Sequence, residues 1–246
     1  MSLLVRHLLI MLLFMPVVVH SQPKVIFVEG NIGVGKSTFL KVIQNYLDVV
    51  TIAEPCDEWQ NIAGHNLLDA FYKDSARWAC TFQLYAFMTR VKKQQAYSEL
   101  GGQVQIMERS WFSDRYCFAY NAFLSGMINE MEWNLYLDIW DWYARQVETP
   151  VGFIYLRTNP ETCYERMKER ARCEESIVPL EYLQLLHSRH EEWLIEGKYK
   201  DHYFGRLPVL VLDGSCNFRD DQEVQKKFVK QILDFLHIHE NIDFRK

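Results

Sequence analysis

Residues 30–37 read G-N-I-G-V-G-K-S, the pattern of a loop that binds phosphate groups. The glycines let backbone N–H groups turn toward phosphate oxygens, and a helix that begins near Gly35 points its positive end at the same anion. Lys36 adds a charge for the β- and γ-phosphates, and the hydroxyl of Ser37 can ligate Mg²⁺. An apolar run precedes the motif and an apolar-periodic segment follows it, so we favour this loop over a glycine turn that binds nothing. The predicted triphosphate site comprises Gly30, Asn31, Ile32, Gly33, Val34, Gly35, Lys36, Ser37 and Thr38.

Two acids and an arginine directly follow apolar runs that we predict to be strands. Glu54 follows the run at 49–53, and Glu108 and Arg109 follow the run at 104–107. In open α/β sheets, ligands bind at the carboxyl ends of the strands. Beside a triphosphate, such side chains suit metal binding, proton removal and charge neutralisation.

Three arginines lie close together between residues 165 and 175. Arg166 and Arg170 are one helical turn apart and share a face, and Arg172 lies just beyond them. An isolated charge run is usually a solvated helix face. A guanidinium fork also matches phosphate oxygens, so these side chains could close over a triphosphate as a lid.

Strands alternate with helices along the chain, which predicts a parallel sheet with helices on both faces. The predicted strands are 24–29, 49–53, 104–107, 152–156 and 208–213. Helices are predicted over 36–46, 66–98, 129–147, 179–196 and 220–237, with further helices beginning at Asn159 and at Ser113 or Asp114. Gly101 and Gly102 are expected to end the helix at 66–98. The expected fold class is α/β, with three layers, a five-stranded parallel sheet and an arginine-rich lid.

Composition limits the partners and the number of domains. The chain has 246 residues, of which 49% are hydrophobic, so it can bury one large core. The net charge is -5 and no basic tract stands out, which argues against nucleic acid as a partner. The six cysteines lack metal-binding spacing and are interpreted as free thiols of a reducing compartment.

Six ordered segments resemble the deoxyribonucleoside kinase family, and the resemblance covers residues 24 to about 238. They are G-N-I-G-V-G-K-S-T at 30–38, E-P at 54–55, T-F-Q at 81–83, E-R-S at 108–110, S-D-R-Y at 113–116, and E-R-x-x-x-R-x-R-x-E-E at 165–175 with P-L-E-Y at 179–182. The family includes deoxycytidine, deoxyguanosine and mitochondrial thymidine kinases. The resemblance implies a P-loop nucleoside kinase fold, ATP with Mg²⁺ as donor, a deoxyribonucleoside acceptor and a homodimer.

The resemblance also implies roles for individual residues. Glu54 matches the general base for the sugar 5′-hydroxyl, and Arg109 matches the arginine that holds this base and the transferring phosphate. Glu108 matches the acid near Mg²⁺, beside Ser37. The lid arginines match Arg166, Arg170 and Arg172, and the loop that frames the donor base matches Asn217 and Phe218. The pair that binds the 3′-hydroxyl matches Tyr72 and Glu175, and the nucleobase pocket matches Trp59, Phe82, Gln83 and Phe118.

The nucleobase preference follows from Ala86, Arg90 and Asp114, which match the deoxycytidine and deoxyguanosine kinase combination. An aspartate beside an arginine stays ionised and suits an exocyclic amine, whereas it crowds a 5-methyl group. We therefore expect deoxycytidine and deoxypurines to be favoured over thymidine. Asn217 departs from the family pattern, because an aspartate is common there in the deoxycytidine kinase branch.

Three alternatives to this expected function remain. One is a thymidine kinase of the same family. A nucleoside monophosphate kinase binds an acceptor phosphate, which the carboxylate of Glu54 would repel. A non-catalytic subunit could share the fold, although Lys36, Ser37, Glu54 and Arg109 are all intact.

Residues 1–23 are predicted to lie outside the folded domain, which spans 24–246. A charge-free run at 8–19 follows Arg6 and precedes a small-residue site ending at Ser21, as in a secretory signal peptide. The run is short for a membrane span, so we expect no membrane contact for the folded domain. Mitochondrial targeting, membrane association and an upstream start codon remain open. We favour an intracellular, cytoplasmic location, because ATP and deoxynucleosides meet there.

Overall fold

The computed structural model describes residues 23–98, 104–199 and 202–240. Within these residues, five strands form one all-parallel sheet in the order β2-β3-β1-β4-β5. The strands are β1 Lys24–Glu29, β2 Val50–Ile52, β3 Val104–Glu108, β4 Gly152–Arg157 and β5 Val209–Asp213. The predicted α/β class and the five predicted strands are confirmed, although β2 is shorter than expected.

Helices cover both faces of the sheet. The α-helices are α1 Lys36–Ile43, α2 Cys56–Gln60, α3 Leu67–Lys73, α4 Ser75–Ser98, α5 Trp111–Ser113, α6 Tyr120–Leu124, α7 Glu130–Ala144, α8 Pro160–Arg170, α9 Leu180–His190 and α10 Gln222–Glu240. Wider π-helical turns continue α5 over Asp114–Ala119 and α9 over Glu191–Ile195, and a 3₁₀-helix spans Cys173–Ile177.

Two helix predictions were wrong in detail. The single helix expected at 66–98 is two helices, because Asp74 has φ -143° and ψ 74° and ends α3. The side chain of Asp74 then accepts a hydrogen bond from the N–H of Arg77 in the first turn of α4. The helix expected to be capped by Ser113 or Asp114 begins three residues earlier, because Ser110 is the N-cap and its hydroxyl accepts from the N–H of Ser113 at 3.2 Å.

The sheet lies between two apolar clusters. Phe27 of β1 packs on one face with the aromatic residues of α4 and α7, whereas Ile26 and Val28 pack on the other face against α1 and α10. This burial on both faces explains why the strands are near-continuous apolar runs. Because all five strands run the same way, their carboxyl ends, and the residues after them, meet at one edge.

Some predictions fall outside the described residues. These are the leader, apart from its last residue, and the glycine pair at 101–102. Across the described part of the chain, none of the helices is both long and apolar enough to span a membrane.

Candidate active site

The phosphate loop leaves β1 at Gly30 and enters α1 at Lys36. Three of its glycines have positive φ angles, 143° at Gly30, 82° at Gly33 and 105° at Gly35, which side chains rarely adopt. A Cβ atom at Gly33 would lie 2.1 Å from the carbonyl oxygen of Cys163, so only glycine lets the loop pack this closely on α8. The loop therefore presents the N-terminus of α1 to an anion.

Two polar side chains of the loop are used differently. The ammonium of Lys36 is buried and donates to the carbonyl oxygens of Gly30 at 3.2 Å and Asn31 at 2.9 Å. Burial and the positive charge of Arg109 lower the pKa of Lys36 to about 8, which leaves it charged at neutral pH. The amide of Asn31 donates to the carbonyl oxygen of Leu183 at 2.8 Å. This bond anchors the loop to α9.

Ser37 and Glu108 offer two oxygen atoms beside the loop. The Ser37 hydroxyl in the first turn of α1 donates to Oε1 of Glu108, the last residue of β3, at 2.9 Å. Mg²⁺ prefers such hard oxygen ligands and usually takes one or two of them from the protein, with phosphates and water completing its shell. The donor set therefore fits Mg²⁺. Among the described residues, no separate cluster of three or more acidic, histidine or cysteine side chains is arranged to hold a metal.

Charged residues that follow β2 and β3, or that lie on α4, form a buried network. Arg90 on α4 forms ion pairs with both Glu54 and Asp114, and Nε of Arg109 lies 3.2 Å from Oε1 of Glu54. The exposed fraction of these side chains is 15% or less. The guanidinium carbon of Arg109 also lies 4.5 Å from the ring centroid of Phe118. The pairing of Arg90 with Asp114 agrees with the expectation, whereas its contact with Glu54 was not anticipated.

Both carboxylates of this network are ionised at neutral pH. Burial alone would raise the pKa of Glu54, but the charges of Arg109, Arg90 and Lys36 outweigh it and lower the pKa to about 2. Burial raises the pKa of Asp114 to about 6, against the opposing effect of Arg90. At this pKa, Asp114 is mostly ionised at neutral pH and can accept hydrogen bonds.

The network faces a cavity of about 170 Å³, which we call the acceptor cavity. Phe82 stacks on Phe71 with ring centroids 4.6 Å apart, and Trp59 meets Phe82 edge to face at 5.4 Å. Gln83 is buried, and its Oε1 has no hydrogen-bond partner among the described residues. Flat apolar walls and an open amide suit a planar heterocycle. The predicted acceptor residues that line the cavity are Glu54, Trp59, Tyr72, Phe82, Gln83, Arg90, Arg109, Asp114, Phe118 and Glu175.

The three predicted lid arginines, Arg166, Arg170 and Arg172, make two different kinds of contact. Arg170 and Arg172 both donate to Glu175, the second at 2.8 Å, and both line the acceptor cavity. Arg166 instead donates to three backbone carbonyl groups, the shortest bond being 2.7 Å to Gly214. Arg166 therefore braces the phosphate loop and the turn after β5.

A second cavity of about 600 Å³, which we call the donor cleft, runs along the phosphate loop to residues 215–220. Asn217 is exposed there, whereas Phe218 is buried and packs against Phe39 with ring centroids 6.2 Å apart. The amide of Gln225 donates to the carbonyl oxygen of Phe218 at 3.0 Å. The segment that holds the two predicted donor-loop residues is thus fixed to α10.

The two cavities share a boundary. It is formed by Gly33, Lys36, Ser37, Glu108 and Arg170. The predicted triphosphate residues all line one cavity or the other, except Gly30 and Asn31, which line neither. A phosphate at this boundary would be within reach of both ligands, which is the arrangement that phosphoryl transfer requires.

Sequence reasoning missed Glu29, which ends β1. Its side chain is completely buried, Ser110 donates a hydrogen bond to its Oε1, and its Oε2 has no partner within the described chain. Burial raises the pKa of Glu29 to about 7, although the charge of Arg109 opposes this. The signal was present, because an acid at the end of an apolar strand is the pattern that singled out Glu54 and Glu108.

One family model and several curated proteins are similar to this chain in sequence. A family model described as deoxynucleoside kinase matches residues 26–237. A probable deoxycytidine kinase of Fowlpox virus is 43% identical over 216 residues, covering 87% of this chain and 88% of the relative. The mitochondrial thymidine kinase 2 of Homo sapiens is 43% identical over 194 residues, covering 78% and 71%. The deoxycytidine kinase of Homo sapiens is 37% identical over 244 residues, covering 88% and 93%.

Proposed function

The chain belongs to the deoxynucleoside kinase family, and we propose that it transfers the γ-phosphate of ATP to the 5′-hydroxyl of a deoxyribonucleoside. Kinases of this family are ATP-dependent phosphotransferases that act on small-molecule nucleosides in the salvage of DNA precursors. The observation that carries the proposal is the shared boundary of the two cavities. There, Lys36 of the phosphate loop adjoins a cavity that holds the ionised carboxylate of Glu54.

In the proposed reaction, Glu54 accepts the proton of the 5′-hydroxyl. The 5′-oxygen of the nucleoside bonds to the γ-phosphorus, and the bond between the γ-phosphorus and the ADP oxygen breaks. Arg90 and Arg109 keep Glu54 ionised beforehand. A carboxylate with so low a pKa is a weak base. We therefore infer that the proton leaves as the new O–P bond forms, when the hydroxyl becomes acidic.

Positive side chains would balance the charge of the transferring group. Lys36 and Arg170 lie at the boundary of the cavities, and Arg109 and Arg172 line the acceptor side. Preorganised cations of this kind stabilise a phosphoryl-transfer transition state. Ser37 and Glu108 would hold Mg²⁺, which neutralises charge on the β- and γ-oxygens when bound.

The remaining acceptor residues would bind the sugar and the base. We propose that Tyr72 and Glu175 hold the 3′-hydroxyl, and that Gln83, Arg90 and Asp114 read the base edge. The aromatic walls are Trp59, Phe82 and Phe118. Because Asp114 is buried and ionised, it should favour the exocyclic amine of deoxycytidine or of a deoxypurine over the methyl group of thymidine.

A preference for thymidine is the second candidate, and the 43% identity to a relative named mitochondrial thymidine kinase 2 favours it. Initial rates of ADP formation with each of the four deoxynucleosides, and with their 5′-monophosphates, test both proposals. We expect ADP with deoxynucleosides, and the highest kcat/KM with deoxycytidine or a deoxypurine. Activity on monophosphates alone would refute the proposed acceptor, and thymidine as the best substrate would refute the proposed preference.

We also propose that the enzyme is a homodimer. Met131, Leu135 and Trp142 are exposed apolar residues spaced along one face of α7, and Met88 is exposed on the neighbouring α4. A second copy that covers this face would bury them. Light scattering coupled to gel filtration should give twice the chain mass, and Trp142→Glu should shift it toward the monomer. A monomeric unmodified enzyme would refute this proposal.

We propose an intracellular, cytoplasmic location, which the six free cysteines support, since such thiols persist in reducing compartments. The leader falls outside the described residues, and N-terminal sequencing of the expressed protein tests its fate. Cleavage after Ser21 with product in the medium would contradict an intracellular location.

A further inference from the structure

We propose that Glu174 is a positioning residue for recognition of the acceptor 3′-hydroxyl, and that it acts through hydrogen bonds to Gln60 and Asn66. This inference rests on the proposed function, in which Tyr72 and Glu175 hold that hydroxyl. None of the family motifs above assigns a task to the first acid of the E-E pair.

Glu174 joins three elements through one oxygen atom. It lies in the 3₁₀-helix Cys173–Ile177 and is 8% exposed. Its Oε1 accepts a hydrogen bond from Nδ2 of Asn66 at 2.7 Å and another from Nε2 of Gln60 at 2.9 Å. Hydrogen bonds to a carboxylate are among the stronger ones in proteins. We call this set of two bonds the Glu174 contact.

Both partners of Glu174 belong to helices that build the wall of the acceptor cavity. Asn66 is the N-cap of α3, and its Oδ1 accepts from the N–H of Asp69 at 2.9 Å. Helix α3 carries Tyr72, which lines the cavity. Gln60 ends α2 and follows Trp59, which is another wall residue. The Glu174 contact therefore holds α2 and α3 in position at the wall of the acceptor cavity.

The next residue, Glu175, has different partners. It is 4% exposed and accepts hydrogen bonds from Arg170 and Arg172 while lining the acceptor cavity. Glu174 thus connects this short helix to α2 and α3, whereas Glu175 connects it to Arg170 and Arg172. Because Tyr72 sits on α3 and Glu175 on the 3₁₀-helix, the Glu174 contact sets the distance across which these two residues can hold one hydroxyl.

The test compares matched substrates that differ only at the 3′-position. The ratio of kcat/KM is measured for 2′-deoxycytidine against 2′,3′-dideoxycytidine, and for thymidine against 3′-deoxythymidine, with the full chain and ATP. Glu174→Ala should lower both ratios about five- to tenfold, mostly through the KM of the 3′-hydroxyl substrate, since one hydrogen bond to substrate is worth about that much. Glu174→Gln keeps a carbonyl oxygen in place and should retain most of the ratio.

A second variant separates positioning from folding. Asn66→Asp keeps the oxygen that caps α3 but replaces the amide donor. It therefore removes the shorter of the two bonds of the Glu174 contact and places a second carboxylate beside Glu174, without uncapping the helix. We expect it to behave as Glu174→Ala does. Glu161→Ala is the matched control, because Glu161 accepts a bond from the amide of Gln184 at 3.2 Å on an exposed surface, and it should leave both ratios unchanged.

The outcomes distinguish this inference from the proposed function. The inference is overturned if Tyr72→Phe lowers the ratios while Glu174→Ala and Asn66→Asp do not, or if these two variants weaken both substrates of a pair equally. If the unmodified enzyme makes no distinction at the 3′-position, or if Tyr72→Phe and Glu175→Gln leave the ratios unchanged, then the proposed 3′-hydroxyl site is wrong. The inference falls with it in that case.

Discussion

The acceptor cavity and the donor cleft are built from different parts of the chain. In the acceptor cavity, buried charged side chains from separate elements, such as Glu54, Arg90 and Asp114, contact each other directly. In the donor cleft, one continuous loop offers its backbone, and the side chain of Asn217 at the far end is exposed. Because buried charges are poorly screened and exposed ones are well screened, equal changes should have unequal effects in the two regions.

Removing the central charge of the acceptor cavity should have the largest effect. Glu54→Gln should lower kcat by about 10²–10⁴, because the 5′-hydroxyl loses its proton acceptor. The KM for ATP should change little, since Glu54 does not line the donor cleft. Steady-state kinetics with each substrate varied checks both expectations. Asp57→Asn, an exposed change on α2, is the control, and a fully active Glu54→Gln enzyme would remove Glu54 as the base.

Glu29 extends the comparison to stability, because it is a buried titratable residue directly before the phosphate loop. Its pKa is about 7 in the folded chain and near 4.5 in the unfolded chain. As pH rises from 4.5 to 7, the unfolded state releases this proton first, so the native state loses up to about 3 kcal/mol of stability by pH 8.

Glu29→Gln removes that loss while its amide oxygen can still accept from Ser110. Urea unfolding at pH 5 and at pH 8 measures the difference. The variant should gain stability relative to the unmodified enzyme as pH rises, whereas a difference between the two proteins that is the same at both pH values would contradict the prediction.

The two regions also differ in what the sequence could predict. The phosphate loop is contiguous, so spacing alone identified Lys36 and Ser37, and the parallel sheet identified Glu54 as a residue at the same edge. Arg90 illustrates the limit, because its contact with Glu54 depends on where α4 places Arg90 relative to the residues that follow β2. The side chain of Asn31 illustrates another, since its bond to the carbonyl of Leu183 spans 152 residues. Pairings that depend on packing between distant elements leave no local pattern.

Changes to Arg90 and Asp114, the pair that we propose to read the base, should alter specificity less than the change at Glu54 alters rate. Arg90→Met combined with Asp114→Ala should raise the thymidine to deoxycytidine ratio of kcat/KM by about ten- to a hundredfold, because the pocket becomes larger and neutral. Arg90→Met alone should also lower kcat with every nucleoside, since Arg90 supports Glu54. Competition between the two nucleosides measures the ratio. An unchanged ratio in the double variant would show that this pair does not read the base.

The smallest effect is expected for a negative charge added to the donor cleft. Asn217→Asp keeps the oxygen that accepts from the N–H of Asp220 at 3.3 Å, so the turn should persist. The new charge is exposed, and repulsion of the triphosphate should raise the KM for ATP only about two- to threefold at low salt, less at 0.5 M salt.

Gln83→Glu is the same amide-to-acid change at a 1% exposed site in the acceptor cavity. It should raise the KM for the nucleoside at least about tenfold, with little salt dependence, because the buried carboxylate lacks solvent and a cation of its own. Equal effects of the two changes, or a salt-sensitive Gln83→Glu, would show that the acceptor cavity is as open to solvent as the donor cleft.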